Sequence, residues 1–295
     1  MQLLSYWSFR AVLYFSSLLP LSVVRTFGIV LGKLYYRLNL KRVKISRVNI
    51  RLCFPALSEQ EQERLVKENI CAVGQWMFEV GRIWLWPSER LLKLVTVRNE
   101  ALFFDAVKAG KGVLLSMPHM GNWEVIQPYI STHSEAAGLY KPHKKNPRIS
   151  DFVRDQRRRD NTELGSTDVG GLRLLMKALA KGKTIVVLPD HNPREEHGVY
   201  APYFGRKVLT TTLIHSMAKR SGAAVFTAVA VRTDGGWELV FEPVPDQHGD
   251  DPVTAATAVN RGVEQAIAMA PEQFQWVYPR FRVLEPGEPP AYDFL

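Results

Sequence analysis

The segment Val113-Leu114-Leu115-Ser116-Met117-Pro118-His119-Met120-Gly121-Asn122-Trp123-Glu124 joins an apolar run to a polar turn. Gly110 and Gly112 precede the run and Pro118 ends it, so Val113 to Met117 reads as a short buried strand. The same pattern returns at Thr184 to Leu188, which ends in Pro189-Asp190. Between and beyond these two runs, Ala136 to Tyr140, Ala223 to Val231 and Trp237 to Val244 read as further strands. Pro147 to Arg159, Leu172 to Lys181, Thr210 to Ser221 and Thr254 to Ala270 read as helices. Upstream, Ser58 and Glu61 form a capping box that opens a long helix running towards Trp84, and Asn99 caps another that stops near Gly110. The apolar stripe Trp76, Met77, Val80, Ile83 and Trp84 suits packing in a core or against lipid. Alternating strands and helices predict an α/β fold: a mixed, mostly parallel sheet flanked by helices, with the site beyond the carboxyl ends of the strands.

The N-terminal end differs from the rest. Of the 38 Lys and Arg in this 295-residue chain of net charge +9, nine fall within residues 1–51, where no acidic residue occurs. The remainder carries 29 basic and 29 acidic side chains. Met1 to Val24 holds one charge, Arg10, and its neutral stretch from Ala11 to Val24 falls short of the roughly 20 residues a spanning helix needs. A span from about Leu3 to Val24 is long enough if Arg10 snorkels. The other possibility is a helix lying at an anionic bilayer, with basic residues interleaved among Leu31, Leu34, Tyr35, Tyr36, Leu38 and Leu40. An ordinary buried helix pair with a solvated basic face is the bland alternative. No cleavage site follows the apolar stretch, so a signal peptide is not expected. The chain thus divides into residues 1–51, a membrane-anchoring apolar and basic segment, and residues 52–295, an α/β domain.

Composition excludes other classes. At 46% hydrophobic and 23% charged the chain can bury a core. Cys53 and Cys71 have no metal or redox spacing, and His191, His197 and His215 form no metal motif, so neither metal nor cofactor is expected. Gly110-Lys111-Gly112 lacks the phosphate-loop spacing. Nucleic acid is not expected as a partner, because the excess charge sits among Leu and Tyr with no binding motif beside it.

The chemistry concentrates after the first strand. On one continuous helix His119 and Glu124 would lie about 140° apart. A break at Gly121, with Asn122 capping the helix that follows, would instead set His119 at the strand end and Glu124 in the first turn. Glu124 could then accept Nδ1–H and stabilise the imidazolium formed when Nε2 takes a proton. A base with an orienting acid and no Ser or Cys nucleophile suits direct activation of a substrate hydroxyl. The same residues also fit a hydrogen-bonded structural histidine.

The run from His119 to Glu124 resembles the His-x-x-x-x-Asp/Glu signature of the glycerolipid acyltransferase superfamily. More narrowly, the chain resembles the late acyltransferases of lipid A biosynthesis, the lauroyl/myristoyl transferases. The further blocks carrying that resemblance follow in order: Tyr140-Lys141-Pro142, Asn146-Pro147, Arg157 with Arg159, Leu175 to Leu179, Pro189-Asp190-His191, Pro202 to Gly205 before Thr210 to Thr212, Ala270 to Trp276, and Arg280-Phe281-Arg282. The resemblance implies transfer of a fatty acyl chain from acyl carrier protein to a hydroxyl of a 3-hydroxyacyl chain on a phosphorylated lipid A precursor. It implies a site on the cytoplasmic side of a bacterial inner membrane, in contact with the lipids of that membrane. By the same resemblance His119 is the general base and Glu124 its partner. Arg157, with Arg159, binds phosphate or stabilises the thioester oxyanion, Asn122 supports the geometry, and Asp190 faces the same cleft. Two positions depart from the family pattern: Asn192 stands where an Asp is usual, and Tyr278-Pro279 replaces a basic pair. Acylation of another glycolipid or an aminolipid, a hydrolase acting on the same acyl chains, and a non-catalytic membrane scaffold are the competing readings.

Overall fold

A computed structural model describes residues 2–142 and 146–295; Met1, at the head of the apolar end, lies outside them. Three helices open the chain: α1 (Gln2–Leu18), α2 (Leu21–Arg37) and α3 (Lys41–Cys53). The capping box at Ser58 and Glu61 then starts α4 (Glu59–Leu85), about 40 Å long at 1.5 Å per residue. After α5 (Ser88–Leu92) come β1 (Val95–Arg98), α6 (Glu100–Lys108), β2 (Val113–Ser116), α7 (Ile126–His133), β3 (Ala136–Leu139), α8 (Pro147–Arg157), β4 (Thr162–Gly165), α9 (Val169–Ala180) and β5 (Thr184–Val187). The hairpin β6 (Gly198–Tyr203) and β7 (Arg206–Thr211) precedes α10 (Leu213–Ser221), β8 (Ala224–Arg232), β9 (Trp237–Pro243) and α11 (Pro252–Met269).

Seven strands form one sheet in the order β1-β9-β8-β2-β5-β3-β4, in which β8 and β9 are the antiparallel pair and the other neighbours are parallel. The expected mixed, mostly parallel α/β sheet is therefore present. All four residues of β2 are buried, as a central strand covered on both faces requires. Val113 and Leu115 point to one side, where they pack with Val80 and Ile83 of α4, Phe103 of α6 and Ile130 of α7. Leu114 points to the other side, against Leu175 and Leu179 of α9 and Ile214 of α10. Each such side chain contributes roughly 1.5–3 kcal/mol by leaving water. A third cluster joins α3, the start of α4, the β6–β7 hairpin and the C-terminal tail through Ile50, Val66, Tyr203 and Trp276.

The N-terminal end departs from a single span. Helix α1 stops at Leu18 and α2 begins at Leu21, with Pro20 between them, so Leu3 to Val24 is not one rod. No helix among the described residues is long and apolar enough to cross a membrane. Instead α1 and α2 each pack along α4. Their outer sides expose Leu4, Trp7, Phe15, Phe27, Val30 and Leu34. The boundary expected at residue 51 falls inside α3, whose Asn49 donates to the carbonyls of Trp276 and Tyr278 at 2.6 and 2.7 Å. The helix expected from Thr210 starts at Leu213, because Thr210 and Thr211 finish β7.

Candidate active site

The sheet register builds the centre of the site. Strands β2 and β5 are parallel neighbours with Ser116 opposite Val187, and the Met117 N–H donates to the Val187 carbonyl at 2.9 Å. His119 lies three residues beyond Ser116 and Asp190 three beyond Val187, so the two side chains emerge together. His119 Nδ1 is 2.9 Å from Asp190 Oδ1, and the His119 backbone N–H donates to Asp190 Oδ2 at 2.9 Å. Burial pushes the Asp190 carboxyl up, but the His119 imidazole and its hydrogen bonds outweigh this and hold it at about 2. An ionised Asp190 accepts from Nδ1–H and leaves Nε2 as the basic nitrogen. No described residue hydrogen-bonds Nε2.

This corrects the expected partnership. Gly121 does break the chain, at φ +58°, and a Cβ there would lie 1.8 Å from the Ala230 carbonyl oxygen. Glu124 does fall in the first turn after it, within the short 3-10 segment Trp123–Val125. Its carboxylate, however, turns away from His119 Nδ1 to a two-pronged pair with Arg157. Arg157 Nε donates to Oε2 at 3.1 Å and Nη2 donates to Oε1, while Trp84 Nε1 donates to Oε2 at 3.1 Å. Burial raises the Glu124 carboxyl, and the Arg157 guanidinium overcomes that rise and keeps it below the ordinary range. Burial disfavours the Arg157 charge in turn, and Glu124 more than restores it. Chain proximity suggested Glu124 as the partner of Nδ1, whereas the sheet brings Asp190 to that position.

Two other expectations change. Arg159 does not face the cleft: it donates to the carbonyls of Ile83, Trp86 and Gln156 at 2.7, 2.8 and 3.2 Å, closing the C-terminal end of α4. Asn122 makes no helix cap; its Nδ2 donates to buried Glu79 at 3.0 Å and its backbone N–H to Ala230 at 3.0 Å.

A cavity of about 220 Å³ runs from His119, Glu124 and Arg157 between α7 and the β3–β4 edge of the sheet. Its walls are mostly apolar, including Met117, Ile130, Ala136, Leu139, Leu164 and Leu188. Larger hollows of about 710 and 640 Å³ open at the surface beside Lys33 and Lys67 and beside Arg206. Neither reaches His119, so the smaller one is the candidate site. Among the described residues, no group of His, Cys, Asp and Glu could hold a metal ion.

Sequence reasoning missed the rings that fix the imidazole. His191 stacks on His119 with centroids 4.2 Å apart and planes at 8°, and Tyr278 stacks on His191 at 3.8 Å. Trp123 meets His119 edge-on at 4.9 Å and stacks on Trp76. Burial and the neighbouring His119 push His191 down to about 4, so it stays neutral near pH 7. The departures from the family pattern meet here: the Asn192 N–H donates to the Tyr278 hydroxyl at 3.0 Å, and Arg280 donates to Asn192 Oδ1. Glu79 was also missed, although a lone acid on the buried apolar stripe of α4 is a visible signal.

The model of bacterial lipid A biosynthesis acyltransferases matches residues 1–283. Over 290 residues, 97% of this chain and 94% of the relative, the chain is 33% identical to the lipid A biosynthesis lauroyltransferase of Escherichia coli (strain K12). It is 28% identical over 291 residues, 97% and 94% of the two chains, to the lipid A biosynthesis palmitoleoyltransferase of that organism. The lipid A biosynthesis myristoyltransferase of the same organism is 24% identical over 269 residues, 89% and 82% of the two chains. With the family pattern matched over nearly its whole length, the chain belongs to the bacterial lipid A biosynthesis acyltransferases.

Proposed function

We propose that this acyltransferase moves a lauroyl or similar chain from the thioester of acyl carrier protein to a hydroxyl of a 3-hydroxyacyl chain on a phosphorylated lipid A precursor. The observation that carries this reading is a His119 Nε2 that no described residue hydrogen-bonds, on a ring backed by Asp190 beside an apolar cavity. The acyl chain of the donor occupies the cavity with its thioester at the His119 end. Nε2 removes the acceptor hydroxyl proton as the oxygen attacks the carbonyl carbon. Arg157 Nη1, which no described residue engages, stabilises the developing oxyanion while Nε and Nη2 stay on Glu124. Collapse breaks the carbon–sulfur bond, and the imidazolium returns its proton to the leaving thiolate. One displacement in a ternary complex suffices, since neither Cys53 nor Cys71 lines the cavity. The lauroyl assignment rests on the relative that is 33% identical.

The exposed apolar side of α1 and α2 supports attachment to the cytoplasmic face of an inner membrane without a spanning helix, with Lys and Arg towards anionic headgroups. To test the function, the gene is deleted and restored with wild type or His119→Ala, and the lipid A is weighed by mass spectrometry. The expected result is one acyl chain missing after deletion, restored by wild type alone. Full restoration by His119→Ala removes His119 as the base. Loss of a chain from a different lipid redirects the acceptor to another glycolipid or an aminolipid.

A further inference from the structure

We propose that Arg25, within the apolar and basic end, is a positioning residue for the catalytic turn, acting through Glu79 and Asn122. The inference rests on His119 being the base, and it concerns what holds the turn that carries this residue. Glu79 projects from α4 and is fully buried. Its carboxylate accepts from Arg25 Nε at 2.7 Å, from Arg232 Nε and Nη2 at 2.8 and 3.2 Å, and from Asn122 Nδ2 at 3.0 Å. A carboxylate out of water needs this full set of partners, so the cluster behaves as one unit. Burial raises the Glu79 carboxyl, and the two guanidiniums bring it below the ordinary range.

The unit grips the catalytic turn from behind. Asn122, bound to Glu79 by its side chain, also donates its backbone N–H to Ala230, and the Gly121 N–H donates to the Gln273 carbonyl at 2.9 Å. His119 lies two residues before Gly121, and the Gln275 N–H donates to its carbonyl at 2.9 Å. Arg25 completes the grip by donating to the carbonyls of Thr233, Asp234 and Gly236 in the turn between β8 and β9. All three of its nitrogens are engaged and the residue is 7% exposed. It is therefore not among the charges available to a lipid headgroup.

Two residues further along the same helix, Phe27 is 53% exposed on the outer side. Helix α2 has no slack against α4: a Cβ on Gly28 would lie 2.5 Å from the Gln75 Cα, and one on Gly32 would lie 2.5 Å from the Cys71 Cα. The helix that presents an apolar face outward thus reaches His119 through Arg25, Glu79 and Asn122.

The test separates positioning from anchoring. Full-length protein in detergent micelles is assayed for transfer from lauroyl–acyl carrier protein to a lipid A precursor, where attachment to a bilayer does not limit the rate. Arg25→Gln is expected to lower kcat roughly ten- to a hundredfold with KM for both substrates unchanged, as for a displaced base. The pH–rate profile of the variant should move, while its sedimentation with phosphatidylglycerol vesicles stays at the wild-type level. Asn122→Ala should reproduce the kcat loss without touching Arg25. If Arg25→Gln does not fold, Arg25→Lys keeps the charge and drops the carbonyl clamps; a lowered kcat at an unchanged melting temperature supports the proposal. Wild-type kcat and pH profile in a folded Arg25 variant overturn it, as does a loss confined to vesicle binding. An active His119→Ala in the same assay refutes the base assignment instead.

Discussion

Replacing Asp190 with Asn is the sharpest probe of the site. The carboxylate receives both the His119 Nδ1–H and the His119 backbone N–H, each at 2.9 Å. An amide has one oxygen for these two donors. If its oxygen takes the backbone N–H, its NH2 faces Nδ1, and the imidazole must turn to the tautomer that carries its proton on Nε2. That nitrogen then cannot act as a base. The imidazolium also loses its counter-charge. At a charge separation of about 4 Å and an effective dielectric of about 20, that attraction is about 4 kcal/mol, or about three decades in rate. The expected fall in kcat is therefore about 10³ to 10⁴, the upper figure being the cost of the same change in a serine-protease His–Asp pair. Asp190 does not line the cavity, so KM for the acyl donor should hold. Transfer measured at saturating substrates from pH 5 to 9 checks this. An Asp190→Asn enzyme within about threefold of wild type would refute the assignment.

Arg157→Ala leaves the Glu124 carboxylate buried without its guanidinium, which should destabilise the fold by about 3–5 kcal/mol in denaturant titrations. Arg157→Lys returns the charge but not the two-pronged geometry, so it should recover only part of this. His191 titrates at about 4 when folded and near 6.5 when unfolded, so the unfolded chain takes the proton first. Stability should therefore fall by about 1.4 kcal/mol per unit as the pH drops from about 6.5 to about 4, and His191→Phe should remove that slope in urea titrations. Gly138→Val places two methyl groups at the cavity wall, where a Cβ meets only Leu164 Cδ2 at an ordinary 3.6 Å. The variant should fold and prefer a shorter acyl thioester, by roughly ten- to a hundredfold in kcat/KM per excess methylene.

The buried strands were legible because four or five consecutive apolar residues between turn signals leave few alternatives. Strands β1 and β4 were not, since their alternately and partly exposed residues carry no such run. The partner of His119 was half legible. Met117-Pro118-His119 and Leu188-Pro189-Asp190 share one layout, an apolar residue and a proline leading to a polar side chain. Nothing in chain order says that β2 and β5 are neighbours, and without that adjacency Glu124 is the nearer carboxylate. Arg157 and Arg159 look equivalent in a charge run, but the end of α8 turns one towards the cavity and the other towards the last carbonyls of α4. The break at Pro20 was open to reading, since a proline inside an apolar stretch argues against one continuous helix.

The cavity runs from the ends of β2 and β5 out to the margin of the sheet. Thr162 and Leu164 on its wall belong to β4, the last strand, which pairs on one side alone. Substitutions there alter the depth of the cavity without disturbing β2 and β5, which set the distance from His119 to Asp190. A change on that border strand of four residues therefore reshapes the cavity while the His119–Asp190 geometry stays as it is.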